Sequence, residues 1–221
     1  MEQLNHIAGL IALSMGTAWA SGINLYAAIL TLGLLGAAGQ MTLPADLQIL
    51  TQPIVIAAAA LMFCIEFFAD KVPGVDTGWD TLHSFIRIPG GALLAAAAVG
   101  EVNPAVMLAA GILGGGLAAG THAAKAGSRV LINTSPEPFS NWAASLAEDL
   151  AVIAGVWAAL THPWLFLACL ALFIVLLVWL LPKVWRGIKS LGAKIAALFG
   201  RRRPCPPPVK TIEGPPPPSK L

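Results

Sequence analysis

A chain of 221 residues that is 57% hydrophobic and 11% charged, with a mean hydropathy of +0.77, cannot build a water-facing surface, for which about 25% charged residues is usual. The net charge of +2 hides a basic block at Arg201, Arg202 and Arg203, but no basic domain accompanies it, which argues against nucleic-acid binding. Cys64, Cys169 and Cys205 are too dispersed for a disulfide framework or a zinc site and read as small buried hydrophobes.

Residues from about Leu4 to Gly39 are apolar over nearly twice the ~20 residues that cross the hydrocarbon. Ala18-Trp19-Ala20 resembles a signal-peptidase site, but MEQLNH has no Lys or Arg to form a basic n-region, so a retained membrane helix is expected. Ser21-Gly22-Ile23-Asn24 interrupts the run. Either one long helix is kinked there or two segments meet at a break, which survives at membrane depth only when buried in protein or facing water. Asn24 is therefore a candidate site residue, with an interhelical hydrogen bond as the plainer use.

After a polar loop with Pro44 and Asp46, a second helix is expected from Pro53 to about Ala69, started by a first-turn proline. The stretch Glu66–Gly91 then carries six formal charges between two apolar runs. The third helix is placed from about Asp80 to Val99, and the fourth from about Pro104 to Ala124. Gly111/Gly115 and Gly116/Gly120 have the spacing that lets membrane helices approach closely. A polar stretch from Thr121 to Asn141 leads to a fifth helix carrying Glu148 and Asp149. The turn Thr161-His162-Pro163 leads to a clean apolar helix, Trp164–Leu181.

Val184, Ile188, Leu191, Ile195 and Leu198 recur at helical spacing with Lys183, Arg186, Lys189 and Lys194 on other faces. Residues 183–200 therefore read as an amphipathic helix at an anionic lipid surface, a lipid contact extending into the arginines up to 203. Residues 201–221 are proline-rich and too poor in apolar side chains to fold. The expected organisation is an all-α, polytopic membrane bundle over 1–182 with about six transmembrane helices and a broken or kinked first helix. All 13 Lys and Arg then fall at one side, which the positive-inside rule makes cytoplasmic, with both termini there; if the first run is two segments, only the N-terminus changes side.

The two polar stretches resemble each other. Glu66 and Asp70 are four apart, as are Lys125 and Arg129; Asp80 corresponds to Asn141, and Arg87 to Glu148. A parallel internal repeat would bring these groups together. The expected pairs are Arg87 with Glu148 or Asp149, and Glu66/Asp70 with Lys125/Arg129, since an unpaired charge at mid-bilayer costs about 2.5–3.5 kcal/mol. Such a network can be purely structural. Pro89-Gly90-Gly91 after Arg87 predicts either a broken third helix, whose half-helix N-terminus beside an arginine would suit an anion, or an ordinary proline kink.

Asp70, Asp76, Asp80 and His83 are weak candidates for a divalent cation; Asp76 and Asp80 read better as caps of the third helix. His83 and His122 can shuttle protons but fit interfacial hydrogen bonding equally. No cofactor is implied. ADKVPGVDTGWDTLHSFIRIPGGALLAA, with KAGSRVLINTSPEPFSN, LAEDLA and Gly22-Ile23-Asn24-Leu25-Tyr26, resembles the DUF 4126 family, bacterial integral-membrane proteins of unknown function. The resemblance covers roughly residues 1–160, leaving the last helix and tail outside. It implies a compact polytopic bundle in a bacterial inner membrane and no activity. The functional expectations come from the charges: a small transporter or channel for an anionic solute or lipid headgroup, a non-transporting scaffold or assembly protein, or a lipid-modifying enzyme. A homo-oligomer is left open.

Overall fold

The computed structural model describes residues 1–72, 74–100, 103–133 and 138–199, and within them the chain is all helical. Six α-helices follow in order: α1 (Glu2–Ala37), α2 (Pro53–Ala69), α3 (Val75–Val99), α4 (Pro104–Ile132), α5 (Pro138–Thr161) and α6 (Pro163–Phe199), with a short 3-10 helix, Ala45–Thr51, before α2. Five of these are long and apolar enough to span a membrane, and the 3-10 helix with α2, bent by 68°, makes a sixth candidate. The polytopic helical expectation holds. The expected unfolded tail, 201–221, lies outside the described residues.

α1 is where the threading departs from expectation. A straight helix of its 36 residues would be about 54 Å long at 1.5 Å per residue. Instead Asn24 is extended (φ −149°, ψ 99°) between two helical halves, and the second half returns toward the first. Gly36 packs on Leu43 and Thr51, and Pro44 lies against Gly100 at the end of α3. Leu43 and Pro44 share a cavity of about 620 Å³ with Asn5, Gly9 and Leu13 from the first half. Ser14 meanwhile donates to the Ala95 carbonyl, 2.7 Å away, one turn before that end of α3. Both ends of α1 are therefore at one end of the bundle, and Asn24 is the tip of a re-entrant hairpin.

The other helices run the full length. Trp164 at the start of α6 donates to Asn5 at 2.9 Å. At the opposite end Gly127 of α4 packs on Val184 of α6, and Asn133 reaches Asp76 at 2.8 Å. Five helices, α2 to α6, pack against the hairpin. The start of α1 and the later part of α6 thus lie at opposite ends, not at the same end as six spans would require.

Leu13, Ala20, Leu25, Ala28 and Leu32 of the hairpin form the centre of the main core with Leu94, Val152 and Val156. The bundle's outside is apolar, with Phe85 82% and Val178 69% exposed, as suits side chains that meet lipid rather than water. Cys64 and Cys169 are on this exposed surface, not buried as expected.

Several boundaries also move. α3 begins at Val75, so Asp80 lies inside it, and α3 passes through Pro89 without a break. α4 continues to Ile132, because Thr121–Ile132 contains helix formers and no proline to stop it. α6 continues through Pro182 to Phe199 as one helix. The tightest contact between α3 and α4 is Gly114 on Ala95, with Gly91 on Ala118, whereas Gly116 faces open space. Gly111 and Gly115 of the first expected pair also face α3, at Ala96 and Ala92, and Gly120 faces Leu177 of α6. The loop with Pro44 and Asp46 hides the 3-10 helix, whose Leu47 and Leu50 are buried.

Candidate functional site

Each helix turns a stripe of residues inward at spacings of three and four, and toward one end of the bundle that stripe becomes charged. α2 supplies Glu66 and, just past its end, Asp70; α3 supplies Asp76, Asp80, His83 and Arg87; α4 supplies Thr121, His122, Lys125 and Arg129. α5 supplies Asn141, Ser145 and Asp149, all buried, with Glu148 partly exposed. The same stripes become Gly, Ala and Leu beyond Arg87 and Thr121, where α1 packs between them.

Seven of these groups form one connected ionic network. The Arg87 Nη2 donates to Glu66 Oε1 at 2.6 Å and its Nη1 to Asp80 Oδ1 at 2.7 Å. The Lys125 ammonium donates to Asp70 Oδ2 at 2.8 Å and lies 3.5 Å from Glu66 and Glu148 and 3.7 Å from Asp80. Arg129 Nη2 donates to Glu148 Oε2 at 2.6 Å and is 3.6 Å from Asp70. Its Nη1 donates to the Asp70 carbonyl at 3.2 Å and to the Asn141 side chain. Every side chain of the network is at most 3% exposed except Glu148, at 18%. Four carboxylates face three cations, leaving one excess negative charge when all are ionised. Such a set stands only because its members pair; removing one partner from a buried pair costs about 3–5 kcal/mol.

The hairpin tip plugs into this network. Lys125 donates to the Ile23 carbonyl at 3.0 Å, satisfying a C-terminal carbonyl of the first half-helix. Asn24 is the N-cap of the second half, its Oδ1 accepting from the Ala27 N–H at 2.9 Å, in the extended conformation typical of caps. Its Nδ2 donates to Asp149 Oδ1 at 2.9 Å, and the Ser21 hydroxyl donates to the Arg87 carbonyl at 2.7 Å. Gly22 sits so close to the Ala118 carbonyl and Thr121 that a Cβ would collide with both. Both half-helix ends therefore meet the charges.

The histidines brace the cluster. Ser84 donates to the Asp80 carbonyl at 3.0 Å and so accepts from His122 Nε2 at 2.6 Å. That leaves His122 Nδ1 to accept from Arg87 at 3.3 Å, a neutral tautomer. His83 donates from Nδ1 to the Trp79 carbonyl at 2.9 Å and accepts at Nε2 from the Tyr26 hydroxyl at 3.2 Å. At the rim, the Lys71 ammonium sits 2.9 Å from the Phe67 ring centre and donates to the Phe67 carbonyl. Burial lowers its pKa from the usual lysine value.

All nine residues expected at the site are in or beside the cluster, but the pairing is redistributed. Lys125 and Arg129 do take Asp70, and Lys125 lies near Glu66. Arg87, however, takes Glu66 and Asp80 in place of Glu148 or Asp149. Arg129 takes Glu148, and Asp149 takes Asn24. Asp80 is consumed by Arg87 and caps nothing. Asp76 does serve the start of α3, accepting from the Gly74 and Thr77 N–H groups at 2.8 and 2.6 Å, and also holds Asn133. Asp76 and Asp80 thus have separate engagements, and among the described residues no group of three or more His, Cys, Asp or Glu is placed to hold a metal. The half-helix terminus expected at Pro89 belongs to α1 instead.

Sequence reasoning passed over Ser21, Tyr26, Ser84 and Ser145 as site residues. Two periodicities mark some of them: Ser14-Thr17-Ser21-Asn24 in α1 and Asn141-Ser145-Asp149 in α5 place a polar residue every turn on one face of an apolar helix.

Residues 11–183 match the family described as a domain of unknown function, DUF4126. The chain belongs to this family. The DUF4126 match includes all of α2 to α5 and α6 up to Lys183, so the last apolar helix lies inside the family region and not outside it. It also contains the whole cluster and the hairpin tip. No curated protein matches, and no solved structure does.

Proposed function

We propose that this protein is a small membrane transporter whose site is the ionic cluster at the tip of the α1 hairpin. The observation that carries this reading is the meeting of two half-helix ends, at Ile23 and Asn24, with buried charges. Discontinuous helices of this kind line the substrate and ion sites of secondary transporters, where half-helix ends supply fixed partial charges. Irregular backbone at that depth is tolerated where it is buried or lines a path. The cargo class that suits Arg87, Lys125 and Arg129 is an anionic solute or lipid headgroup. Since Glu66 and Asp80 hold Arg87, an anion would take Arg87 by exchange with these carboxylates. Glu148, the partly exposed member, marks the entry side.

Lys71, Lys125, Arg129, Lys183, Arg186 and Lys189 share that end of the bundle, which the positive-inside rule makes cytoplasmic. With α1 re-entrant, the start of the chain would lie on the far side.

A specific observation favours the scaffold reading: the four described cavities have no cluster residue in their lining. A charge network that no solute reaches would serve to lock the bundle. Reconstitution in liposomes separates the two. Wild type should move an anionic solute or headgroup, and Arg87→Lys, which keeps the charge but not the fork of two donors, should slow it at least tenfold while remaining folded. Equal behaviour of wild type, Arg87→Lys and empty liposomes would leave the scaffold.

A further inference from the structure

We propose that Asp149 is the proton-binding group of this site, carrying its proton as a neutral carboxylic acid in the present conformation, with Asn24 as the positioning residue that ties it to the hairpin tip. The coupling of this proton to cargo rests on the transport reading; the proton site itself does not.

Asp149 is 5% exposed. Its Oδ1 accepts from the neutral amide of Asn24 at 2.9 Å, and its Oδ2 has no hydrogen-bond partner among the described residues. Glu66 Oε2, Asp70 Oδ1 and Asp80 Oδ2 are likewise without a hydrogen-bond partner among the described residues; what separates the other five acids of the cluster is the group on the bonded oxygen. Glu66, Asp70, Asp80 and Glu148 each lie within 4 Å of a Lys or Arg nitrogen, and Asp76 takes Asn133 and two backbone N–H groups. Asp149 alone among them has neither a cation nor a backbone donor. A buried, unpaired carboxylate is costly enough that such a group takes up a proton instead.

The surroundings do not replace the missing cation. The charged groups that act on Asp149 are Asp70 and Lys71 from the end of α2 and Lys125 from α4, with Glu148 next to it on α5. Lys125 is committed to Asp70 and the Ile23 carbonyl, and Lys71 to Phe67. The adjoining network already carries one excess negative charge when ionised. From α1 the only polar side chain bonded to Asp149 is Asn24.

Asn24 makes the proton matter to the fold. One end of its amide holds Asp149 and the other caps the second half-helix at Ala27. Loss of the proton turns a neutral hydrogen bond into a charge-assisted one and sets a negative charge at the positive end of that half-helix. The chemistry is proton transfer alone: Asp149 releases the proton to water or regains it, and no other bond is made or broken. Glu148, adjacent to Asp149 and 18% exposed, is the most exposed acid of the network.

Infrared difference spectroscopy on the full chain, in lipid at neutral pH, reads this directly. Wild type should show the carbonyl stretch of a protonated carboxylic acid, and carbon-13 labelling of aspartate should shift it. Asp149→Asn should abolish it while keeping wild-type thermal stability, because an amide mimics the neutral acid. Asn24→Ala should move the band by removing its hydrogen-bond donor. Absence of the band, indifference to aspartate labelling, or persistence in Asp149→Asn overturns the proposal. If Asp149→Asn does not fold, a labelled band that Asn24→Ala leaves in place overturns it. A band assigned to Asp149 in a protein that moves neither protons nor anions in liposomes supports the proton site and removes the transport reading.

Discussion

α3 carries Pro89 followed by two glycines and stays helical from Val75 to Val99, whereas α1 has no proline in its 36 residues and turns sharply at Asn24. A proline removes one hydrogen-bond donor and crowds one carbonyl. In α3 that local loss is outweighed by continuous packing, since Gly91 and Ala95 on the far side of the proline press closely against Ala118 and Gly114 of α4. In α1 nothing local forces the break. It exists because other elements accept the groups it frees: Lys125 takes the Ile23 carbonyl, and the Asn24 side chain takes the Ala27 N–H. In an apolar environment a helix can end only where its terminal groups find partners. The partners, more than the breaker residues, decide where.

Three substitutions probe that difference, in falling order of effect. Lys125→Met removes the cap on the first half-helix and leaves Asp70 without its closest cation; unfolding in detergent should show a loss of about 3–5 kcal/mol, and adding Asp70→Asn should recover part of it. Asn24→Ala removes the cap of the second half-helix and should cost about 0.5–2 kcal/mol, read in the same assay. Pro89→Ala should not destabilise: it should gain about 0.5–1.5 kcal/mol at most, the worth of the one regained hydrogen bond, and leave helix content by circular dichroism unchanged, because α3 is already helical there. A large Pro89 effect beside a small Lys125 effect would reverse the comparison.

The crossing helices were legible because each is a long apolar run with a clear punctuation mark, such as Pro53, Pro104 or Pro163 at its start. The members of the cluster were legible for a related reason: Glu66, Arg87, Lys125 and Glu148 are ionisable groups in apolar surroundings, and that alone demands partners. Which partner each takes was not legible. Spacing suggested Arg87 with Glu148, but the choice depends on helix rotation and offset, and Asp80, two turns before Arg87 in α3, was within its reach. The hairpin was half legible. Ser21-Gly22-Ile23-Asn24 marks an interruption, but a kink and a reversal share that signature. The groups that favour the reversal, Lys125 and Asp149, are more than 100 positions away in the chain.

The central claim is that α1 enters and leaves the bundle at one end and presents its tip to the charges. Gln3, in the first turn of α1, and Gln40, just past its end, are exposed. With Cys64, Cys169 and Cys205 replaced by serine, Gln3→Cys and Gln40→Cys in separate proteins should react with a membrane-impermeant thiol reagent from the same side of intact vesicles, opposite to Trp185→Cys near the other end. Labelling of Gln3→Cys and Gln40→Cys from opposite sides would mean that α1 crosses the membrane, and the hairpin account would fall with it.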